Sequence, residues 1–472
     1  MSDQSPDTHW LPLTLAQLDF WEEFRLHPDT PVSTVAHAIE LRGLCDTGAL
    51  AGAIAETIAE TDVMALGLAV DPDGQPRQRI DPARAPALRR IDLCGRADGR
   101  DHAFALMQAD MEARLDLLTQ PIFAQWLIRL AEDHHIWLNR GHHIAVDGYG
   151  MGLIERRCAA HYAARLTGGD AGPRLGAFGD YLNEETDYRA GPRHAADGGH
   201  WAQILAHAPP PRILRKGSEN YPTEALFAEH DLSPLRAALM ARATALGMGW
   251  PDLLTVLCAI WVALRVTGPA AARRTDPQGR IAATLWLPYM SRMGSVSITV
   301  PALVVNILPL GVDLSPDEGL GAVLTRLSTA LRKLRRHGRY RIEQIAQDYG
   351  VPSGGRFFFS PLINVLPFDA AHFKGCEMTR HVLSNGPGDG FNITIRGDGE
   401  ARDLTLLIEA DPALTPAAGF AALARDLPEF LRAALAADAA TRPVEALPGL
   451  GPNSDRGSSP RTHIAAARPA CG

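Results

Sequence analysis

Cysteine is scarce in this 472-residue chain, and its cysteines are scattered. No CxxC pair is present, which argues against a zinc site and against a disulfide framework, and favours a reducing compartment. The six cysteines are Cys45, Cys94, Cys158, Cys258, Cys376 and Cys471. We therefore expect no metal site, no disulfide framework and a cytoplasmic location.

Excess positive charge, long apolar runs and a leader pattern are also missing. The 46 Lys and Arg residues against 54 Asp and Glu residues give a formal net charge of −8, which disfavours nucleic-acid binding. The most apolar stretch, 253–264, is shorter than the roughly 20 residues that cross a bilayer. The first ten residues have neither the basic nor the apolar region of a signal peptide. We expect no nucleic-acid partner and no membrane partner.

The composition and the order of elements predict an α+β protein with two halves. Hydrophobic residues make up 46% of the chain, which is enough for ordinary globular cores. Helical and strand-like segments alternate without βαβ regularity, so mixed or antiparallel sheets are expected. A segment rich in Gly, Pro and charge, 167–220, is the candidate connection between the halves. We place the domains at 1–178 and 179–444, followed by a disordered tail at 445–472.

Two local patterns are well defined. Thr14 and Gln17 have the spacing of a capping box, which predicts a helix from Thr14 to about Leu26. Two apolar, β-prone runs flank Glu132-Asp133, which predicts a hairpin with strands near 122–131 and 134–143.

The hairpin leads into the segment GHHIAVDG at 141–148, the main candidate for chemistry. Adjacent side chains of a strand point to opposite faces, so His142 and His143 are not expected to reach one site together, and a metal site built from the pair is disfavoured. Asp147 has the position of a helix cap or of a partner for a distant Arg, and Gly148 allows close backbone approach. In isolation such a motif is also compatible with one core histidine, one solvent histidine and a capping aspartate.

The sequence HHIAVDG resembles the HHxxxDG signature of nonribosomal peptide synthetase condensation domains, whose superfamily includes chloramphenicol acetyltransferase. The resemblance continues in the family's order along almost the whole chain, through LTLAQLDFW, HWAQIL, LPYMSRMG, VPALVVNILPL, SPLINVLPFD and LSNGPGDGFN. It implies two chloramphenicol-acetyltransferase-like lobes arranged as a V, a pseudo-dimer with a tunnel between the lobes. No phosphopantetheine attachment motif and no adenylation segment is present, so the chain looks like a free-standing condensation enzyme, or one excised from a larger synthetase.

The resemblance also implies roles for the residues of the motif. His143 is the candidate general base, or the group that orients the nucleophile, and His142 supports the loop. Asp147 forms an ion pair with Arg292 of the SRMG segment. Gly148 offers a backbone N–H to the oxyanion, although a tight-turn role is equally compatible with its position.

More distant residues complete the predicted site. Asn306, Asn364 and the Gly386-Pro387 pair are expected to be scaffold of the tunnel and of the contact between the lobes. Arg335 and Arg336 belong to a dense basic run that is either a solvated helix end or a docking surface for an acidic carrier protein.

The function implied is transfer of an acyl or aminoacyl thioester from the phosphopantetheine arm of a carrier protein to a small-molecule amine, forming an amide in natural-product biosynthesis. Ester formation with an alcohol acceptor, transfer from acyl-CoA and a catalytically silent recruitment module are the alternatives. No bound cofactor of its own is implied, and the chain is expected to be a monomer.

Overall fold

The computed structural model describes residues 10–206, 213–217, 219, 221, 225–266, 274–277, 279–386 and 388–450. Its helices are α1 (Leu15–Leu26), α2 (Thr47–Glu60), α3 (Gly99–Glu112), α4 (Gly148–Thr167), α5 (Phe178–Ala190), α6 (Pro192–Ala206), α7 (Arg236–Ala245), α8 (Trp250–Arg265), α9 (Leu320–Arg336), α10 (Ile342–Asp348) and α11 (Ala417–Ala434). The strands are β1 (Leu11–Pro12), β2 (Thr34–Gly43), β3 (Leu66–Val70), β4 (Pro76–Ile80), β5 (Leu88–Asp92), β6 (Ala124–Ala131), β7 (His134–His142), β8 (Leu214–Lys216), β9 (Leu226–Asp231), β10 (Arg274–Thr275), β11 (Ile281–Tyr289), β12 (Asn306–Leu314), β13 (Arg356–Phe358), β14 (Leu362–Pro367), β15 (Cys376–Asn385), β16 (Phe391–Gly397) and β17 (Thr405–Ala410).

Two large sheets organise the chain. The first has five strands in the order β15-β2-β7-β6-β5, and the second has the order β10-β11-β14-β16-β17-β9, with β12 also paired to β11. Most pairs are antiparallel, while β5 with β6, β11 with β14 and β14 with β16 are parallel. The mixed sheets confirm the α+β class expected from the sequence.

Each large sheet has its own hydrophobic core. The core on one face of the first sheet includes Trp137 and Tyr162, and the core of the second sheet includes Trp261 and Phe430. Residues 300, 302 and 304 also belong to the first core, although they lie far along the chain. The division into 1–178 and 179–444 therefore follows the cores only approximately.

The strand β15 is the main exception to that division. It pairs antiparallel with β2 from Cys376↔Gly43 to Asn385↔Val35, with a bulge between Val382 and Ser384. Residues 376–385, which the sequence assigned to the second domain, thus form the edge of the first domain's sheet. The sequence could not reveal this because strand partners more than 300 residues apart leave no local pattern.

Two further expectations need correction. Val444–Ala446 form a short 3-10 helix and Leu447 is buried in the second core, so the predicted tail does not begin at 445. The remainder of that tail, 451–472, lies outside the described residues. Cys45 and Cys376 are joined as a disulfide with Cα atoms 6.1 Å apart, a pairing that the argument against a disulfide framework did not anticipate. They meet because β15 returns to β2.

In the described part of the chain, no single helix is both long and apolar enough to cross a membrane, and one bent pair, Ser233–Ala245 with Trp250–Arg265, meets the length and composition limits together.

Candidate active site

The HHIAVDG segment forms the junction between β7 and α4. The last pair of the β2–β7 ladder is Thr34↔His142, and the backbone N–H of His143 continues the contact by donating to the carbonyl of Ser33 at 2.8 Å. A turn then follows, in which the N–H of Ala145 donates to the carbonyl of His142 at 2.9 Å. The helix begins at Gly148, so the motif lies on a fixed strand, a tight turn and a helix N-terminus.

His142 is a buried support of this turn. Its Nδ1 accepts a hydrogen bond from the backbone N–H of Ile144 at 3.1 Å. Burial, with smaller contributions from His143 and Arg140, lowers the pKa of the His142 imidazole to about 3. The ring is therefore neutral at physiological pH.

His143 is only partly buried, and its ring is held from three sides. The Phe20 ring of α1 stacks on it with centroids 5.2 Å apart. Its Nδ1 lies 3.1 Å from the Val146 carbonyl and its Nε2 lies 3.0 Å from the Asn385 carbonyl. Burial lowers the pKa of the imidazole below its usual 6.5, although both carbonyls oppose the shift. A neutral imidazole has one N–H, so it donates to one of these carbonyls at a time.

Asp147 caps α4 and pairs with Arg292, as the sequence resemblance implied. Both of its carboxylate oxygens lie 2.9 Å from Nη2 of Arg292, and Oδ1 also accepts from the N–H of Gly150 at 2.8 Å. The backbone N–H groups of Val304 and Val305 each donate to Oδ2 at 2.9 Å. Burial alone would raise the pKa of the Asp147 carboxyl, but the Arg292 charge and the backbone donors outweigh it and hold the pKa below 3.8.

The Arg292 guanidinium is itself fully buried, and it binds a loop to the motif. It donates to the carbonyls of Ser297, of Val300 at 2.7 Å and of Ala302 at 2.7 Å. The ion pair therefore joins the β7–α4 turn to the segment between β11 and β12, which the sequence separates by more than 140 residues.

Gly148 is exposed and is the first residue of α4, a helix of 20 residues. A Cβ built at this position would meet no atom within 4 Å. The first N–H groups of a helix have no partner inside the helix, and they carry partial positive charge. Open space therefore lies beside this helix terminus.

The predicted scaffold residues Asn306 and Asn364 both lie in strands of the second large sheet. Asn306 is buried and donates to the carbonyls of Gly338 at 2.8 Å and Tyr340 at 3.0 Å, so it fixes the segment before α10. Asn364 lies in β14 opposite Thr394 of β16, within the second sheet.

Gly386 follows β15 directly and lies against the imidazole. Its φ is +84°, and a Cβ at this position would come within 2.3 Å of the Cδ2 atom of His143, so only glycine fits here. Pro387 lies outside the described residues.

The basic run at the end of α9 is partly neutralised. Arg335 forms an ion pair with Asp252 of α8 at 2.5 Å, whereas Arg336 is exposed. Arg339 forms ion pairs with Glu184 and Glu185 of α5, so its positive charge is compensated within the protein.

Sequence reasoning missed Phe20 and Asn385, which contact the His143 ring from outside the motif. Phe20 lies on the capped helix α1, where an apolar residue at helical spacing predicts only packing in the core. Asn385 acts through its backbone carbonyl, which carries no side-chain signal. In the described residues no group of three or more His, Cys, Asp or Glu side chains has a metal-binding arrangement.

Comparison with known proteins identifies the family. A family model of the Condensation domain matches residues 8–381. The chain is 34% identical over 432 residues to isonitrile lipopeptide synthase of Streptomyces coeruleorubidus, covering 90% of this chain and 28% of that protein. It is 31% identical over 399 residues to enterobactin synthase component F of Escherichia coli (strain K12), covering 82% of this chain and 30% of that protein. The chain thus spans less than a third of the length of these relatives.

Solved structures give the same result. The crystal structure of VibH, a nonribosomal peptide synthetase condensation enzyme, matches with a TM-score of 0.81 and 32% identity, over 92% of this chain and 100% of that chain. The first condensation domain of the calcium-dependent antibiotic synthetase, in complex with a substrate analogue, matches with a TM-score of 0.75 and 25% identity, over 93% of this chain and 99% of that chain. The chain therefore belongs to the condensation domain family of nonribosomal peptide synthetases.

Proposed function

We propose that this protein transfers an acyl or aminoacyl group from the phosphopantetheine thioester of a carrier protein to a small-molecule amine. The observation that carries the proposal is the His143 imidazole, held between Phe20 and the Asn385 carbonyl at the end of β7. Its lowered pKa keeps the ring neutral near pH 7, the protonation state that a base or a hydrogen-bond acceptor for an amine requires.

The chemistry is an acyl transfer through a tetrahedral intermediate. The amine nitrogen attacks the thioester carbonyl, a C–N bond forms and the C–S bond breaks. The proton lost by the amine passes by way of His143 to the departing thiolate, so the products are an amide and the free thiol of the carrier arm. Positioning of the two reactants contributes about 7–11 kcal/mol in favourable cases, so orienting the amine is as important as accepting its proton.

The helix N-terminus beside the motif provides a second contribution. The Gly148 N–H is at the start of α4, and the space beside Gly148 is open to a ligand atom. Asp147 does not use this N–H, because its carboxylate caps Gly150 and pairs with Arg292. We therefore assign the Gly148 N–H as a donor to the developing oxyanion.

The Asn385 carbonyl places a condition on the reaction. The carbonyl oxygen lies 3.0 Å from Nε2 of His143, and Nε2 is the atom that would accept a proton from the amine. When Nδ1 carries the ring proton and donates to Val146, Nε2 has a lone pair and faces the Asn385 carbonyl without a hydrogen bond. A primary amine beside these two acceptors has two N–H groups and donates one to each of them, whereas an alcohol has a single O–H, which favours an amine acceptor.

Intact-mass analysis of a loaded carrier protein tests the proposal. The carrier is charged with a candidate acyl group and incubated with the enzyme and either an amine or an alcohol. We expect the carrier to lose the acyl mass only when enzyme and amine are both present, with an amide of matching mass in the supernatant. If the loss requires an alcohol, the protein forms esters and not amides. If transfer occurs only from acyl-CoA, the donor is acyl-CoA and not the carrier protein. If no donor supports transfer, the protein is a catalytically silent module.

A further inference from the structure

We propose that Glu23 of α1 is a positioning residue for His143, and that it acts through Ser33. The Ser33 hydroxyl donates to Oε2 of Glu23 at 2.5 Å. The carbonyl of the same serine accepts the backbone N–H of His143 at 2.8 Å. Glu23 is 4% exposed and Ser33 is 0% exposed, so water does not compete for either hydrogen bond.

The helix that carries Glu23 also carries the ring partner of His143. Phe20 and Glu23 are three residues apart, so they lie on the same face of α1. Phe20 contacts the imidazole ring, and Glu23 binds the residue that holds the imidazole backbone. The Glu23–Ser33 bond therefore sets the position of α1 relative to the strand end that presents His143.

The segment that includes Ser33 also connects to the other side of the ring. The carbonyl of Thr34 accepts a hydrogen bond from the Ser384 hydroxyl at 2.7 Å, and the next residue is Asn385, whose carbonyl faces Nε2 of His143. Residues 33 and 34 thus join α1, the end of β7 and the end of β15. A shift of Ser33 would move the imidazole relative to both Phe20 and Asn385.

A carboxyl group at position 23 has a cost that an apolar side chain would avoid. Burial raises the pKa of Glu23 to about 7, and its Oε1 has no hydrogen-bond partner among the described residues. Leaving a buried polar atom unpaired is unfavourable. The bond to Ser33 and the positive charge of Arg356 both oppose that cost, and the bond to Ser33 leads directly to His143.

The inference rests on the proposed function, but its test does not require turnover. Diethylpyrocarbonate modifies accessible neutral histidine rings, and peptide mass spectrometry gives the modification rate of His143 separately from the other 16 of the 17 histidines. The variants are Glu23→Ala and Ser33→Ala, which each remove the bond, and Glu23→Gln, which keeps an oxygen acceptor for Ser33. Glu22→Ala is the matched control, because Glu22 lies on the same helix and pairs with Arg25 at the surface.

We expect Glu23→Ala and Ser33→Ala each to raise the modification rate of His143 by about fivefold, the change in equilibrium that the loss of one ordinary hydrogen bond produces. Glu23→Gln and Glu22→Ala should stay within about twofold of the wild type. Wild-type rates in both Glu23→Ala and Ser33→Ala would overturn the proposal, and so would an equal increase in Glu22→Ala. If one variant does not fold, the other decides the result.

Turnover gives an independent reading of the same variants. In the acyl-transfer assay, Glu23→Ala should lower kcat and leave KM for the amine unchanged, and Glu23→Gln should restore kcat. An active wild type with an unchanged kcat in Glu23→Ala contradicts the positioning role alone. An inactive wild type contradicts the proposed function, while the modification rate still decides the role of Glu23.

Discussion

Removal of the Asp147 carboxylate should destabilise the whole β7–α4 junction. In Asp147→Ala the buried Arg292 guanidinium loses its counter-charge while it remains bound to three carbonyl groups. Breaking a buried pair by removing one partner costs about 3–5 kcal/mol. The N–H groups of Gly150, Val304 and Val305 lose their acceptor as well, so we expect the loss to lie at the upper end of that range.

An exposed ion pair provides the matched control for this variant. Arg280 and Asp313 pair at 2.9 Å with side chains that are 48% and 64% exposed. Because solvent screens such a pair, Asp313→Ala should change the free energy of unfolding by only about 0–1 kcal/mol. The contrast between the two aspartates separates the effect of burial from the effect of losing a negative charge.

Urea unfolding followed by tryptophan fluorescence measures both variants at pH 7 to 8. The pKa of Asp147 is lower in the folded protein than the usual 3.8, so its contribution is present above that pH and is lost as the pH falls through the folded pKa. Measurements in the neutral range therefore report the full effect. We also expect Asp147→Ala to give a lower yield of soluble protein and lower activity. An Asp147→Ala variant within about 1 kcal/mol of the wild type would refute the reasoning.

Three further changes test other parts of the site. The pKa of His142 is about 3 in the folded protein and about 6.5 in the unfolded chain, so acid favours unfolding between those two values. In urea titrations, the difference in unfolding free energy between the wild type and His142→Gln should therefore change by about 2 kcal/mol from pH 7 to pH 5. No change over this range would contradict a buried neutral ring. Gly386→Ala should lower kcat by about 100-fold, because the new Cβ would displace the His143 imidazole. Gly388→Ala, whose Cβ would meet no atom within 4 Å, should keep the wild-type kcat, and equal kcat values in the two variants would contradict the predicted displacement. Charge reversal of Arg335 and Arg336 should raise KM for the carrier-bound donor by about threefold at low salt. An unchanged KM would contradict a docking surface and would favour the interpretation of these residues as a solvated helix end.

Local patterns predicted local structure well. The capping box formed as expected, with the Thr14 hydroxyl accepting from the N–H of Gln17 at 3.3 Å and the Gln17 side chain accepting from the N–H of Thr14 at 2.9 Å. The hairpin of β6 and β7 lies within two residues of its predicted bounds. Such elements depend on neighbours in sequence, so their signals are contained in short windows.

Contacts between distant segments were accessible only where the family resemblance supplied them. The Asp147–Arg292 pair was expected on that basis and is present. The return of β15 to the first sheet and the contact of the Asn385 carbonyl with His143 were missed. The position of a backbone carbonyl and the pairing of an edge strand are properties of the assembled fold, and no residue type in the sequence predicts them.

The role of His143 is the central claim, and a single-turnover measurement tests it most directly. A carrier protein charged with the donor is mixed with excess enzyme and saturating amine, and the rate of amide formation is compared between the wild type and His143→Ala. General base catalysis by a positioned histidine contributes about 10²–10⁴-fold, so we predict a loss within that range and a residual rate above that of the enzyme-free reaction. A His143→Ala variant that is folded and forms amide within twofold of the wild-type rate would contradict the account.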